Sequence, residues 1–489
     1  MGIVLKQSIK NTVTTYVGFG VAALNALVLY TNFLTDEYYG LITVILATSA
    51  VLMPILSFGI PNTIVKYYST VRNTKDENSF LTLMLFLPLV FVLPLVVCVY
   101  FISNIVGYYL VQENPIVANY LWHIVFIGIA MAYFEVFYAW SKVQLKTVFG
   151  NFLKEVFHRL CITILLFFVY FKWITVDTFI HCLVLVFVLR LAIMKLYAFS
   201  LKWPKLSLNF PKRTKEIITY SLFIILGGSA AVLILELDKV MLNHFLAIEN
   251  VAYYGVSIYI ATVIAVPSRA MHHITYPLTA NLLADRDMVG LLSLYQKSAI
   301  TLLLGSGILF VLIITNLESI YQILPPAYGN GFLIVLCVGL ARVYDGALGN
   351  INAILYNSKY FKMVLVFGIV LAMATVLFNL WLIPNFGVNG AAFASLLAIF
   401  LYNTAKLFFV WITFKMQPFT RATWISLVLL IVVGGLFYSI MLPFHPILAI
   451  IVKSSICMLC FLLATYYLNL SEDITNVLGQ LLKRTKTKK

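Results

Sequence analysis

The stretch "NFLTDEYYGLITVILATSAVLMP", Asn32 to Pro54, and the stretch "NHFLAIENVAYYGVSIYIATVIAVP", Asn243 to Pro267, are two versions of one pattern. Each begins on an asparagine and passes through Phe-Leu into a polar turn that closes on Tyr-Tyr-Gly (Tyr38 to Gly40; Tyr253 to Gly255). An apolar run follows, with a proline twelve to fourteen residues beyond the glycine. A long apolar run after a short polar turn reads as a segment entering a bilayer. Its return about 210 residues later suggests a chain built from two related halves.

The rest of the chain agrees. Of its 489 residues, 62% are hydrophobic and 10% charged, and the mean hydropathy of +0.99 lies far from the make-up of a soluble domain. Apolar runs near twenty residues, each able to cross about 30 Å of hydrocarbon as a helix, recur from end to end. They are continuous rather than alternating, which excludes an outer-membrane barrel. The expected fold is all-α and polytopic, with about fourteen spans at 11–34, 41–65, 80–106, 117–138, 151–170, 178–199, 217–242, 251–273, 291–315, 332–355, 363–383, 390–413, 423–442 and 447–468. The repeat then matches spans 1 and 2 to spans 7 and 8 in the same orientation, so the halves are parallel repeats of six spans with two added at the end. The start "MGIVLKQSIKNT" has no short apolar core ending in a cleavage site, so no removable signal peptide is expected. All six cysteines (Cys98, Cys161, Cys182, Cys337, Cys457, Cys460) fall in apolar runs and read as packing residues.

Charge tests the span count. Alternate connectors, including both termini, hold Lys6, Lys66, Lys146, Lys205, Arg286, Lys359, Arg421, Lys483 and their neighbours, 22 of the 33 basic residues in all. The opposite set holds only Lys172. By the positive-inside rule both termini are cytoplasmic. The net charge of +15 is spread over every inner connector, which speaks for membrane orientation and against nucleic acid as a partner. No connector is large enough for a soluble domain. The chain has no GxxxxGK[ST] loop, no HExxH and no clustered metal-ligand spacing, so neither ATP hydrolysis nor metallohydrolase chemistry is expected.

Several stretches carry a family resemblance. "FLTDEYYGL" (Phe33 to Leu41), "LSFGIPNTIVKYYS" (Leu56 to Ser69), "LDKVMLNHF" (Leu237 to Phe245), "VAYYGVSIYIA" (Val251 to Ala261) and "LIPNFGVNGAAFAS" (Leu382 to Ser395) resemble the Wzx-like polysaccharide repeat-unit flippases of the multidrug/oligosaccharidyl-lipid/polysaccharide exporter superfamily. The resemblance runs along essentially the whole chain. It implies an N-terminal lobe (1–200, helices 1 to 6), a C-terminal lobe (201–420, helices 7 to 12) and a last segment (421–489, helices 13 and 14 with a basic tail). It also implies a central cavity lined by helices 1, 2, 7 and 8 that opens alternately to each side. The implied substrate is a polyprenyl-pyrophosphate-linked oligosaccharide, whose head group is large, polar and anionic.

An ionisable group at the centre of a spanning helix costs about 2.5–3.5 kcal/mol on insertion scales, so each one needs a reason. Ten basic residues lie within the expected helices or at their ends. Arg342 and Asp345 share a helix face, either as a structural pair or as a switched cation. Arg159 has no acid at i+3 or i+4, which points to a partner on another helix or to an anionic ligand. In "LILELDKVMLNHF" (Leu233 to Phe245), Glu236 and Lys239 share one side, whereas Asp238 lies about 160° from Glu236. One acid can serve the structure and the other an ion-coupling role. Gly227 and Gly228, in "LGGSAAV" at mid-membrane, are the expected hinge. Arg269 and Lys66, at repeat-related inner helix ends, suit capture of a pyrophosphate, although the positive-inside rule alone also places bases there. Asn25, Asn32 and Asn62 suit sugar hydroxyls or helix bridging. Glu135, Arg190 and Lys195 lie towards inner ends, where they can pair with one another or with lipid, and Lys453 lies outside the two lobes.

The expectation is therefore a flippase, not an enzyme. It would serve export of O-antigen of lipopolysaccharide, capsule or a similar glycan across the bacterial inner membrane, without an organic cofactor and with H+ or Na+ as the coupling ion. Its expected partners are the glycolipid, membrane lipids and a downstream polysaccharide polymerase. The rivals are a multidrug or cation antiporter, which wants buried acids to dominate, and a peptidoglycan-precursor flippase. A glycan polymerase or ligase needs a substantial outer loop, and no outer connector here exceeds about sixteen residues.

Overall fold

A hydrocarbon environment leaves backbone N–H and C=O groups no partner but each other, and local sequence then decides where each helix starts and stops. The computed structural model describes residues 2–110, 113–207, 209–228, 230–472 and 475, and among these all regular structure is helical. In chain order the helices are α1 (Gly2–Leu24), α2 (Tyr30–Phe33), α3 (Asp36–Leu56), α4 (Ile60–Val71), α5 (Glu77–Phe86), α6 (Leu89–Leu110), α7 (Leu121–Val143), α8 (Val148–Phe152), α9 (His158–Tyr170) and α10 (Val176–Leu201). They continue with α11 (Thr214–Gly228), α12 (Ala230–Phe245), α13 (Glu249–Thr262), α14 (Val266–Ala284), α15 (Met288–Ile323), α16 (Phe332–Ala347), α17 (Ile351–Asn357), α18 (Phe361–Phe414), α19 (Arg421–Tyr438) and α20 (Pro446–Tyr467). Two π-helical turns, Asn25–Leu29 and Leu153–Phe157, interrupt the first span and the fifth.

Ten of the described helical runs are long and apolar enough to cross a membrane, and the bent pair α16–α17 makes eleven. The expected count of fourteen is thus not reproduced by length and composition, for identifiable reasons. The run α18 alone has 54 residues, about 80 Å at 1.5 Å per residue, and covers two of the expected spans. Gly387 (φ 58°, ψ −137°) departs from helical geometry inside it, at the centre of "LIPNFGVNGAAFAS". The fifth expected span is divided among α8, a π turn and α9, and the seventh is described to Gly228 and again from Ala230.

The chain divides into two compact units: Met1–Gly255 with Gly368–Val388, and Val256–Phe367 with Asn389–Lys489. Within the first, the two repeat-related turns meet. Thr35 caps α3 by accepting from the Tyr38 amide, and Asp36 and Glu37 sit at the positive end of the helix dipole. Gly40 lies so close to the Ile248 carbonyl that any side chain would overlap it, and Tyr253 donates to Asp36 at 2.9 Å. Beyond Pro54 the chain turns through Phe58 and Gly59, both with positive φ, and restarts as α4 with Pro61 in its first turn. Gly59 also abuts the Ser221 carbonyl, and Thr63 shares a buried 2.8 Å hydrogen bond with the Ser221 hydroxyl. The motif "LSFGIPNT" is therefore a helix–turn–helix corner that admits α11 closely. Small-residue approach and polar bridges of this kind hold helices together where lipid is as apolar as leucine.

In the second unit, α15 is the central post against which α14, α16, α19 and α20 pack. Gly307 faces Leu430, Gly346 faces Ser306, and Leu304, Ile308, Leu430 and Phe461 form part of a shared core. Large apolar side chains on the outer faces, such as Leu185, Leu196 and Ile431, are 65–73% exposed, as expected for lipid contact.

Candidate functional site

Asp238 sits where helix periodicity separates it from its charged neighbours. Glu236 and Lys239 pair at 2.8 Å on one side of α12, as their spacing requires. Asp238 faces the other way, is 2% exposed, and accepts from Tyr254 Oη and Asn379 Nδ2, each at 2.7 Å. Tyr254 belongs to the repeated Tyr-Tyr-Gly turn and Asn379 to α18, so three distant segments of the first unit converge on one carboxylate. Asn379 escaped the sequence reading, although an amide in the apolar run "VLFNLWLIP" was a signal.

A second polar cluster lies among α7, the Leu153–Phe157 turn, α9 and α10. Glu135 and Lys154 pair at 2.5 Å, and Arg159 pairs with Glu155 at 3.3 Å. The Arg159 pair corrects the sequence expectation: its acid lies four residues before it on the same face, not after it, and helix neighbours run in both directions. Arg190 is buried, with its guanidinium over the Phe134 ring (4.1 Å) and near that of Phe187 (5.1 Å). Lys142 lies 4.0 Å above the Tyr138 ring, which Gly150 leaves room for. Gly18 brings α1 against the Glu155 backbone. Asn25 is buried, donates to the Arg159 carbonyl at 3.0 Å and accepts from Thr163 at 2.7 Å, so its amide is engaged in bridging helices. Lys142, Lys154 and Glu155 were not singled out from sequence, because their significance lies in who they face.

The second unit has its own site. Asp345 accepts from Asn403 at 3.2 Å and interacts electrostatically with Lys406, which is fully buried and donates to Asn352 Oδ1 at 3.0 Å with its ammonium 4.0 Å over the Tyr402 ring. Arg342 lies one turn before Asp345 on α16. A 57° bend between α16 and α17, with Gly349 at φ 57°, swings Asn352 into reach. Lys406 was missed: its polar partners Asn352 and Asp345 lie 54 or more residues away.

The remaining expected residues lie apart from these clusters. Lys66 is exposed on α4 with its ammonium 3.7 Å over the Tyr220 ring. Arg269 is exposed in the first turn of α14, after the 3-10 turn Val263–Ala265. Asn62 is exposed, and Asn32, also exposed, donates back to the Val28 carbonyl at 2.7 Å. Gly227 and Gly228 are the last two residues of α11, and Ser229 beside them lies outside the described residues. Among the described residues no three His, Cys, Asp or Glu side chains converge as a metal site. The cations of these clusters are set among aromatic rings and amides.

Residues 4–283, more than half of the chain, match the family described as polysaccharide biosynthesis protein. A search of curated proteins found no match. Among solved structures, the lipid II flippase MurJ in an inward closed conformation aligns with a TM-score of 0.71 at 13% identity, over 95% of this chain and 98% of that one. An inward-facing multidrug resistance MATE family transporter of the MOP superfamily aligns with a TM-score of 0.63 at 12% identity, over 81% and 94%. A MOP superfamily transporter from Pyrococcus furiosus, described as having a binding pocket of reverse polarity, aligns with a TM-score of 0.54 at 13% identity, over 85% and 93%. At such identities the likeness is one of fold.

Proposed function

The chain belongs to the polysaccharide biosynthesis protein family, and from that premise we propose that it turns polyprenyl-pyrophosphate-linked oligosaccharides from the cytoplasmic to the periplasmic leaflet by alternating access. It is a multi-pass membrane protein with the fold of MOP superfamily transporters, which supports reading it as a flippase. The observation that carries the substrate class is the sign of the charge inside the helices. In the second unit the fully buried Lys406 is set against Asn352, the Tyr402 ring and Asp345, and Arg342 stands one turn before Asp345 on α16. Keeping cations out of water is costly, and an anionic head group is the ligand that repays it. A carrier of cationic drugs favours the opposite balance.

In this reading the two six-helix lobes, 1–200 and 201–420, exchange access, with helices 13 and 14 outside them. Both termini are cytoplasmic, the membrane is the bacterial inner membrane, and the glycan passes to a polymerase. Arg269, Lys66, Arg342, Arg159 and Lys239 serve the head group, and Asn32 and Asn62 the sugars, Asn25 being engaged in bridging helices. Protonation or sodium binding at Glu236, Asp238 or Asp345 biases the open side, with Gly227 and Gly228 as hinge.

The test is transport by the purified protein in proteoliposomes, comparing a polyprenyl-pyrophosphate oligosaccharide with a lipophilic cation. Accelerated glycolipid flipping that collapses in Arg269→Ala and Arg342→Ala supports the reading. Cation transport with an inert glycolipid overturns it in favour of a MATE-like exporter.

A further inference from the structure

Three cations in the first unit converge on one carboxylate. Glu135, on α7, pairs with Lys154 and also feels the charges of Lys142 and Arg190. Glu155 is already committed to Arg159. With four cations and two carboxylates in the cluster, positive charge exceeds negative by two; Lys142 and Arg190 both act on Glu135, and Arg190 also feels Glu155. Among the described residues no carboxylate lies within 4 Å of Arg190 or Lys142. Arg190 is 6% exposed, and its Nε has no hydrogen-bond partner there. Aromatic faces support both cations without neutralising them.

Position adds to the argument. Arg190 stands eleven residues from the end of α10, and Glu135 eight from the end of α7, so both lie roughly 12–16 Å inside the basic end of the helices at 1.5 Å per residue. Lys142 lies at that end. The Lys154 side chain is 40% exposed whereas that of Glu135 is 15% exposed, so the cluster opens on the Lys154 side. The π turn Leu153–Phe157 carries both Lys154 and Glu155, and such turns are frequent at functional sites. A guanidinium and two ammonium groups match a multi-oxygen phosphate anion, the fork of the arginine gripping two oxygens and the lysines acting as point charges.

We propose that Arg190, Lys142 and Lys154 form a diphosphate-binding site in the first unit, with Glu135 as its internal placeholder. The inference rests on the flippase reading and adds where the substrate's diphosphate docks: a dianion displaces Glu135 from Lys154 and supplies the two missing charges. Each side chain has a separate part. Lys154, on the open side, receives the anion, Arg190 and Lys142 hold it, and Glu135 competes with it, keeping the bases in place between transport events. A phospholipid head group offers related chemistry with a single phosphate charge and leaves one cation unmatched.

The test uses the full-length protein in lipid nanodiscs, with inorganic pyrophosphate as probe and thermal shift and direct binding as readouts. Arg190→Met and Lys142→Met are each expected to weaken pyrophosphate binding about tenfold or more, as loss of a charge-assisted contact does, and Arg190→Lys to retain part of it. Glu135→Gln is expected to tighten binding. That sign separates the proposal from a merely structural network, in which removing Glu135 strands three cations and lowers stability with or without pyrophosphate. Weaker binding in Glu135→Gln, or an unmoved melting temperature of wild-type protein in pyrophosphate, overturns the site. So does competition by phosphatidylglycerol nanodiscs that abolishes pyrophosphate binding, because the occupant is then a head group. Wild-type flipping with unchanged half-saturation in Arg190→Met and Lys142→Met defeats this inference and leaves the flippase reading standing. Pyrophosphate binding with this mutational pattern, in a protein that moves no glycolipid, defeats the flippase reading instead.

Discussion

Asp238 and Glu236 stand two residues apart in one helix and have opposite fates. Glu236 meets Lys239 in a partly exposed pair within α12, and local pairs of this kind contribute little. Asp238 is buried, and two donors from other segments depend on it. Asp238→Ala should destabilise the protein by about 1–3 kcal/mol, since it strands Tyr254 and Asn379 as well as removing the acceptor, whereas Lys239→Ala should cost less than about 1 kcal/mol. Thermal unfolding in detergent distinguishes them, and equal losses would contradict the assignment of roles. Lys406 invites a similar comparison. Lys406→Met leaves Asp345 short of its buried cation, so the Lys406→Met, Asp345→Asn double variant should be more stable than Lys406→Met alone. A simple sum of the two losses would show that the two groups do not interact.

At the scale of elements, the motifs that carried the family resemblance prove to be corners. Gly59 combines a φ of 65° with a Cβ position occupied by the Ser221 carbonyl, whereas Gly387, at φ 58° and ψ −137°, has open space where a side chain would go. Conformation alone penalises alanine at Gly387, by about 1–3 kcal/mol. At Gly59 a backbone clash is added, so Gly59→Ala should be the more damaging in yield and denaturation midpoint. The reverse order would mean that the α4–α11 approach does not matter. Sequence patterning found these stretches as motifs but not as corners. A glycine signals permitted geometry, and only the neighbouring helix shows why that geometry is needed.

For the molecule as a whole, the alternation of basic connectors makes a prediction about sidedness. In a cysteine-free background, Lys172→Cys and Asn385→Cys should react with an impermeant thiol reagent from one side of the membrane, and Lys359→Cys from the other. Labelling of Asn385→Cys on the same side as Lys359→Cys would mean that α18 is not two crossings joined at Gly387. This experiment decides whether α18 is one run or two spans, because helix length and composition merge neighbouring spans.

Sequence alone determined the helical, multi-pass class, the paired repeat, the charge alternation and the Glu236–Lys239 pair. All of these depend on windows of about twenty residues or on i,i+3 spacing, where the chain is its own environment. Only the tertiary structure decided that Asp238 answers to Tyr254 and Asn379, that Lys406 is buried beside Asn352, and that Arg190 and Lys142 gather around Glu135. Insertion of a helix into a membrane is governed by its own hydropathy. The partner of a charge within that helix is set by which other helix packs against it, and in lipid that choice rests on close fit and a few polar bridges between residues far apart in sequence.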